Sequence, residues 1–480
     1  MELIVNIFEV ISFINIPLAL AVIFLERKNA SATWAWLMVL VLIPGIGFIL
    51  YLLLGQNLSK QKIFNLKAEE DRFHKDLFLQ GKQLSENHMN FHDKEMVTYK
   101  DMMYMHLNNS QAVFTQDNTV KIYTDGNDLF DSMIDSINNA KDHIHMVYYI
   151  VKNDSLGNRI LDALTKKASE GVEVRFLYDE MGCRKLPKTF FNKLKRAGGK
   201  VAVFFPSIVP HINVRLNFRN HRKITVVDGK EAFIGGFNIG DEYLGKNKTF
   251  GYWRDTHLKV IGTAVDSLQQ RFLLDWRHAS NEKITFDKKY FPAKQANKGI
   301  GIQIVSSGPD SEWEQIKNGY LKMIQSAKKN VCIHSPYLVP DESITEALKI
   351  ASLSGVTVKV MIPSKPDHPF VYWASLSYVG ELLKAGVKCY TYNKGFLHSK
   401  MVVIDGKVAS VGTANMDVRS FKLNFEVNAF LYDSKTAQSL EEIFEKDIFE
   451  CTEITEASYE NRSLIIKFKE SISRLLSPVL

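Results

Sequence analysis

Two stretches of the chain carry the same reactive residues at the same spacing. They are His221-Arg-Lys223-Ile-Thr-Val-Val-Asp228 and His398-Ser-Lys400-Met-Val-Val-Ile-Asp405, both H-x-K-x4-D and both followed by Gly-Lys. Seven residues past each Asp stands a glycine, Gly235 or Gly412, and three further on an asparagine, Asn238 or Asn415. One short motif could be an accident; two copies with one tail mark a duplicated half-site. An imidazole can attack an electrophile or deliver a proton near neutral pH, and an ammonium neutralises phosphate oxygens. Two of each suit displacement at phosphorus.

The elements that hold these residues follow from the pattern. As a strand, each motif sends its His and Lys from the same face, because they are two positions apart. Asp228-Gly229 and Asp405-Gly406 are hairpin-turn signals, so a return strand such as Ala232-Phe-Ile-Gly-Gly236 runs back alongside. That leaves Asn238 and Asn415 near the histidines, where with Lys223 and Lys400 they could bind phosphate. Asp228 and Asp405 complete the motif's catalytic set, although regular strands point them away from the histidines. Asp255, in Trp253-Arg-Asp255, and Glu426, in Asn424-Phe-Glu426, each lie on the next apolar strand of a half. Either could bond the far nitrogen of a histidine and fix its tautomer.

The repeat extends well beyond the motif. Val120-Lys-Ile-Tyr and Ile302-Gln-Ile-Val head the two halves, and apolar strands alternate with helical stretches in the same order afterwards. This predicts an α/β fold of two pseudo-twofold halves with mixed sheets flanked by helices, over residues 117–296 and 297–480. Residues 58–116 are polar and without a strong period, which predicts a partly helical connector. One difference stands out: Gly198 to His221 spans 23 residues, whereas Gly386 to His398 spans only 12. The extra segment, Pro206-Ser-Ile-Val-Pro-His-Ile-Asn-Val214, is apolar and could form the lip of a lipid entrance.

The 480 residues include four cysteines without C-x-x-C spacing, which argues against a disulfide framework or zinc site. The net charge of +7 favours an anionic partner, either nucleic acid or membrane. The N-terminus favours the membrane: Ala32 to Gly55 holds no charged residue, and Leu3 to Leu25 is also largely apolar but carries Asn6, Glu9 and Asn15. A two-helix transmembrane hairpin is therefore expected over residues 1–57. Lys60, Lys62, Lys67, Arg72 and Lys75 outnumber Arg27 and Lys28, which places the body on the cytoplasmic side of the cell membrane. The C-terminal stretch from Leu464 is amphipathic and basic, and is expected to pack against the body rather than touch membrane.

The doubled H-x-K-x4-D with its G-x-x-N tail resembles the phospholipase D superfamily. With the N-terminal apolar segment, including Pro44-Gly-Ile-Gly-Phe-Ile-Leu-Tyr51, the chain is similar over nearly its full length to bacterial cardiolipin synthases. Thr413, where the first half has Gly236, departs from the repeat. The resemblance implies that one histidine attacks phosphatidylglycerol phosphorus and the other releases glycerol. A second phosphatidylglycerol then takes the phosphatidyl group from the histidine, giving cardiolipin. His221 is expected as nucleophile and His398 as acid and base. No metal or cofactor is needed in that scheme, the lysines supplying positive charge. The rival is a membrane-bound phosphodiesterase of the same chemistry with water as acceptor. Nucleic acid is not expected as a partner, since no basic-aromatic strip is apparent.

Overall fold

The computed structural model describes residues 15–24, 30–43, 47–48, 51, 71–86, 88–206, 218–280, 282, 284–294, 298–475 and 477. The chain divides into two compact units, the larger comprising Phe64–Phe205 and Arg219–Leu480. Its frame is one sixteen-stranded sheet rather than one sheet per half. The halves meet where Thr115–Tyr123 pairs antiparallel with Ile300–Ser307, Thr115 opposite Ile302.

Outward from that seam the strand order repeats. The first half runs His257–Ile261, Glu231–Gly235, Ile224–Val227, His143–Tyr148, Glu173–Asp179 and Lys200–Phe204. The second runs Asn424–Tyr432, Val408–Gly412, Met401–Ile404, Asn330–His334, Thr357–Pro363 and Lys388–Tyr392, with Cys451–Ile454 added at the edge. In each half the motif hairpin is antiparallel and the three outer strands are parallel. The central strands are buried throughout, as in Ile224–Val227, Met401–Ile404 and Asn424–Tyr432. Their unbroken burial suits a sheet covered on both faces.

Helices cover those faces and start where the sequence supplies caps. Asp154 accepts from the Gly157 amide at the head of Ser155–Ser169, and Asp433 from the Thr436 amide at the head of Ser434–Ile448. Residues 88–116 form more than a connector. Met102, Met103 and Leu107 of helix Lys100–Ser110 are buried in the second half's core with Tyr320, Met323 and Ile324. Neighbouring methionines both buried leave no clean amphipathic period, so the sequence alone suggested only a partly helical connector.

The smaller unit is described only in part. Its helix Ala30–Leu42 is 13 residues long, about 20 Å, well short of the roughly 30 Å of a bilayer core. Among the described residues no helix is long and apolar enough to cross a membrane. The helix ends at Leu42 and the chain bends at Ile43, and most of the expected second span beyond that point lies outside the described residues. Much of the first expected span, and the expected lip beyond Pro206, lie outside the described residues.

Candidate active site

Each motif begins beside the sheet and enters it. In the first half the hairpin pairs Ile224 with Ile234 and Val227 with Glu231; in the second, Met401 pairs with Val411 and Ile404 with Val408. Asp228 and Gly229 have φ of 52° and 60°, and Asp405 and Gly406 have 53° and 58°. Positive φ at both turn residues is the hairpin geometry that Asp-Gly accommodates.

The motif aspartates lock these turns and are not brought to the histidines. The Asp228 carboxylate accepts from the Lys141, Asp142 and His143 amides at 2.8–3.1 Å. Asp405 accepts from the Lys328, Lys329 and Asn330 amides at 2.7–3.0 Å. Both carboxylates are engaged by these backbone amides. Each ties the hairpin tip to the start of the neighbouring strand, with the length of a strand between it and its histidine.

The histidine segments cross between the halves. Arg219–Asn220 runs parallel to Asn424–Phe425 of the second half, and Gly395–Leu397 runs parallel to Tyr252–Arg254 of the first. The next residue on each segment is therefore a histidine beside a carboxylate from the opposite half. His221 Nδ1 lies 2.9 and 3.0 Å from the Glu426 oxygens, and His398 Nδ1 lies 2.6 Å from Asp255 Oδ2. Both carboxylates are fully buried and both histidines nearly so. A buried carboxylate there favours the hydrogen on Nδ1, which leaves the lone pair of the neutral ring on Nε2.

Electrostatics join the two half-sites. Burial lowers His221 to about 4, with Lys223 and Lys400 lowering it and Glu426 opposing them. Burial also lowers His398, helped by Lys400 and Lys223 and opposed by Asp255. Burial alone would raise both carboxylates. Asp255 is held below its ordinary range by Lys400 and His398, and Glu426 by His221 and Lys223. Lys223 Nζ donates to its own His221 carbonyl at 2.6 Å, and Lys400 Nζ likewise to the His398 carbonyl. Burial lowers Lys223 to about 7 and Lys400 to about 8. Aromatic rings flank the imidazoles, Tyr149 at 4.9 Å from His221 and Trp253 at 5.2 Å from His398.

The asparagines are tied within their own halves. Asn238 accepts from the Ile150 amide and donates to the Tyr243 hydroxyl, both at 3.2 Å. Asn415 donates to Asp417 at 3.1 Å, while its Oδ1 is buried without a hydrogen-bond partner.

Two features escaped the sequence. Gly236 makes room for Asp255: a Cβ there would lie 1.9 Å from Asp255 Oδ1. Its counterpart Thr413 instead donates its hydroxyl to Glu426 Oε2 at 2.5 Å, and Asn424 donates to Glu426 Oε1 at 3.1 Å. The second feature is Arg222, whose guanidinium binds Asp275 at 2.7 and 2.9 Å and the Glu426 carbonyl at 3.1 Å. It clamps the first motif to the second half's carboxylate strand. The departure of Thr413 from Gly236 was the signal for the first; for Arg222 the sequence offered none.

Residues 133–276 and 320–448 match the family described as cardiolipin synthase, PLD-like domain, and residues 13–56 match the phospholipase D-nuclease N-terminal family. The chain is 54% identical over 468 residues to a cardiolipin synthase of Oceanobacillus iheyensis, covering 97% of each chain. It is 53% identical over 472 residues to the major cardiolipin synthase ClsA of Bacillus subtilis, again covering 97% of each. Among solved structures, it resembles the phosphatidylserine synthase of Haemophilus influenzae with a TM-score of 0.59 at 15% identity. That match covers 79% of this chain and all of the other, and it supports the fold alone.

Proposed function

The chain belongs to the bacterial cardiolipin synthases of the phospholipase D-like superfamily, which are phosphatidyltransferases, and we propose that its two histidines divide the chemistry between them. The observation that carries this reading is the exchange of carboxylates, Glu426 to His221 and Asp255 to His398. It presents two Nε2 atoms of fixed tautomer in one electrostatic unit with two buried ammoniums.

His221, lowered to about 4, is neutral at neutral pH and is the nucleophile. Its Nε2 attacks the phosphorus of phosphatidylglycerol, forming the N–P bond as the bond to the glycerol oxygen breaks. His398, where Asp255 opposes the lowering by burial, carries the proton on Nε2 that passes to that oxygen, and glycerol leaves. His398 then takes a proton from the terminal hydroxyl of a second phosphatidylglycerol. That oxygen attacks phosphorus, the N–P bond breaks, and cardiolipin is released with His221 regenerated. Lys223 and Lys400 neutralise the phosphoryl oxygens; an arriving anion raises their proton affinity, so the site charges as it fills. Asn238 and Asn415 are assigned to the same phosphate, the free Oδ1 of Asn415 accepting from a substrate hydroxyl.

We further assign residues 1–57 to the cell membrane as a hairpin, with the body on the cytoplasmic side. The match of residues 13–56 to the phospholipase D-nuclease N-terminal family supports this, as does the excess of basic residues after Gly55.

The test is incubation of the purified protein, in detergent or liposomes, with labelled phosphatidylglycerol. Cardiolipin with released glycerol is expected. Phosphatidic acid as sole product would make water the acceptor and replace the transferase mechanism by hydrolysis.

A further inference from the structure

The C-terminal helix Leu464–Leu475 is inverted with respect to an ordinary surface helix. The residues it buries are Glu470 and Ser473. Five of its six large apolar side chains face outward, Ile466 alone being half-buried: Leu464 is 82% exposed, Ile465 68%, Phe468 67%, Ile472 40% and Leu475 77%. At 3.6 residues per turn these five fall in one stripe about 100° wide. Lys467 and Lys469 flank the stripe on opposite sides.

The orientation is fixed by specific bonds on the polar side. Arg462 donates to both Glu470 oxygens at 2.9 and 2.8 Å. Arg474 binds Glu381 at 2.6 Å and the Ser377 carbonyl at 3.3 Å, both on helix Pro369–Leu383. The cations of Lys469 and Arg474 lie 5.2 and 4.3 Å from the Trp373 and Tyr378 ring centres of that helix. Rolling the stripe inward would break these bonds and strand a buried carboxylate. An exposed stripe of this size marks a contact surface.

We propose that Leu464, Ile465, Phe468, Ile472 and Leu475 lie in the headgroup–acyl boundary of an anionic bilayer, with Lys467 on lipid phosphates. This rests on the lipid-transferase reading and adds a second membrane contact, on the catalytic body itself. At 12 residues, about 18 Å, the helix is too short to span a bilayer but suits lying along its surface. The charges favour lipid over a second copy of the chain. The helix carries one carboxylate, Glu470, and that is buried, so two stripes facing each other would oppose lysines with no acid to match them.

The test places a polarity-sensitive fluorophore on Phe468→Cys or Ile472→Cys in the full chain. Cys451, the half-exposed native thiol, is replaced by serine. The protein is reconstituted in phosphatidylglycerol vesicles with and without brominated acyl chains. Bromolipid should quench both labels, while a label at Asn138→Cys on the exposed side of another helix should be unaffected. Quenching at Phe468 no greater than at Asn138 overturns the proposal. So does concentration-dependent shielding of the label in detergent, which would make a second copy the occupant. In parallel, Leu464→Asn with Phe468→Asn should slow turnover on vesicles roughly tenfold or more, with turnover in mixed detergent micelles unchanged. Equal loss in both media overturns it as well. Wild-type protein inactive in both media would instead sink the transferase reading, and label depth is measured independently of activity.

Discussion

The two halves share a strand order and a hairpin but hold their exchanged carboxylates differently. Glu426, which reaches His221, is bonded by the Thr413 hydroxyl, the Asn424 amide and the imidazole. Asp255, which reaches His398, sits in the space left by Gly236, and besides the imidazole its bond is to the Thr256 amide at 2.7 Å. A carboxylate that shares its charge among several donors stabilises an imidazolium less than one spent mainly on the histidine. Burial lowers both imidazoles, and the carboxylate that opposes it is held by several donors in one case and by few in the other.

The sharpest way to break that comparison is to remove one imidazole at a time. His221→Ala and His398→Ala should each lower cardiolipin formation by about 10⁴-fold or more. With a donor carrying an acidic leaving group, His398→Ala should still accumulate a phosphatidyl-enzyme and His221→Ala should not. Mass spectrometry of the quenched protein distinguishes them, and adduct in both or neither would remove the division of labour.

Next in size are the carboxylates. Glu426→Gln and Asp255→Asn should each lower kcat by roughly 10³-fold, and their pH profiles should differ. Glu426 opposes the burial that lowers His221, so Glu426→Gln lowers His221 further. The acid limb, where the neutral nucleophile is lost, then moves below its wild-type position near pH 4. Asp255→Asn lowers His398, so the basic limb, where the general acid is lost, moves to lower pH. Identical shifts in both variants would mean the histidines are interchangeable.

How much of this was legible follows from the range of each interaction. The hairpins were, because Asp-Gly and the two-residue alternation act within a dozen residues. The pairing of carboxylates with histidines across the halves was not. It depends on the seam between Thr115–Tyr123 and Ile300–Ser307, which joins segments far apart in sequence into one sheet. Asp255 and Glu426 could be named as partners of a histidine, but not of which one. The C-terminal helix shows the same limit: its amphipathic period was plain, yet the packed face is the polar one. Arg462 and Glu381, outside the helix, decide that. The N-terminal apolar runs were legible as candidate spans from their length and lack of charge, and much of them lies outside the described residues.

A smaller effect should come from exchanging the residues that distinguish the halves. Gly236→Ala puts a methyl group where Asp255 Oδ1 lies, so the carboxylate must move and His398 loses its bond. A fall in kcat of about 10²-fold is expected, most of the way to Asp255→Asn. Thr413→Val removes only one of Glu426's donors and should cost about tenfold. If Gly236→Ala is harmless while Thr413→Val is crippling, the contrast between the sparsely bonded Asp255 and the shared Glu426 is wrong.

The smallest catalytic effect is expected where the halves agree most closely, at Asp228 and Asp405. Each accepts three backbone amides, and an asparagine offers one oxygen in place of two. Asparagine tolerates positive φ, so the turn backbone survives the substitution. Asp228→Asn and Asp405→Asn should each destabilise the fold by about 1–3 kcal/mol, read as a lower Tm. The kcat of the protein that remains folded should stay within about twofold of wild type. The opposite pattern, an unchanged Tm with collapsed kcat, would return the aspartates to the chemistry. A motif shared by both halves can thus be half chemistry and half scaffold, because the strand that presents the histidine needs a fixed tip to be presented at all.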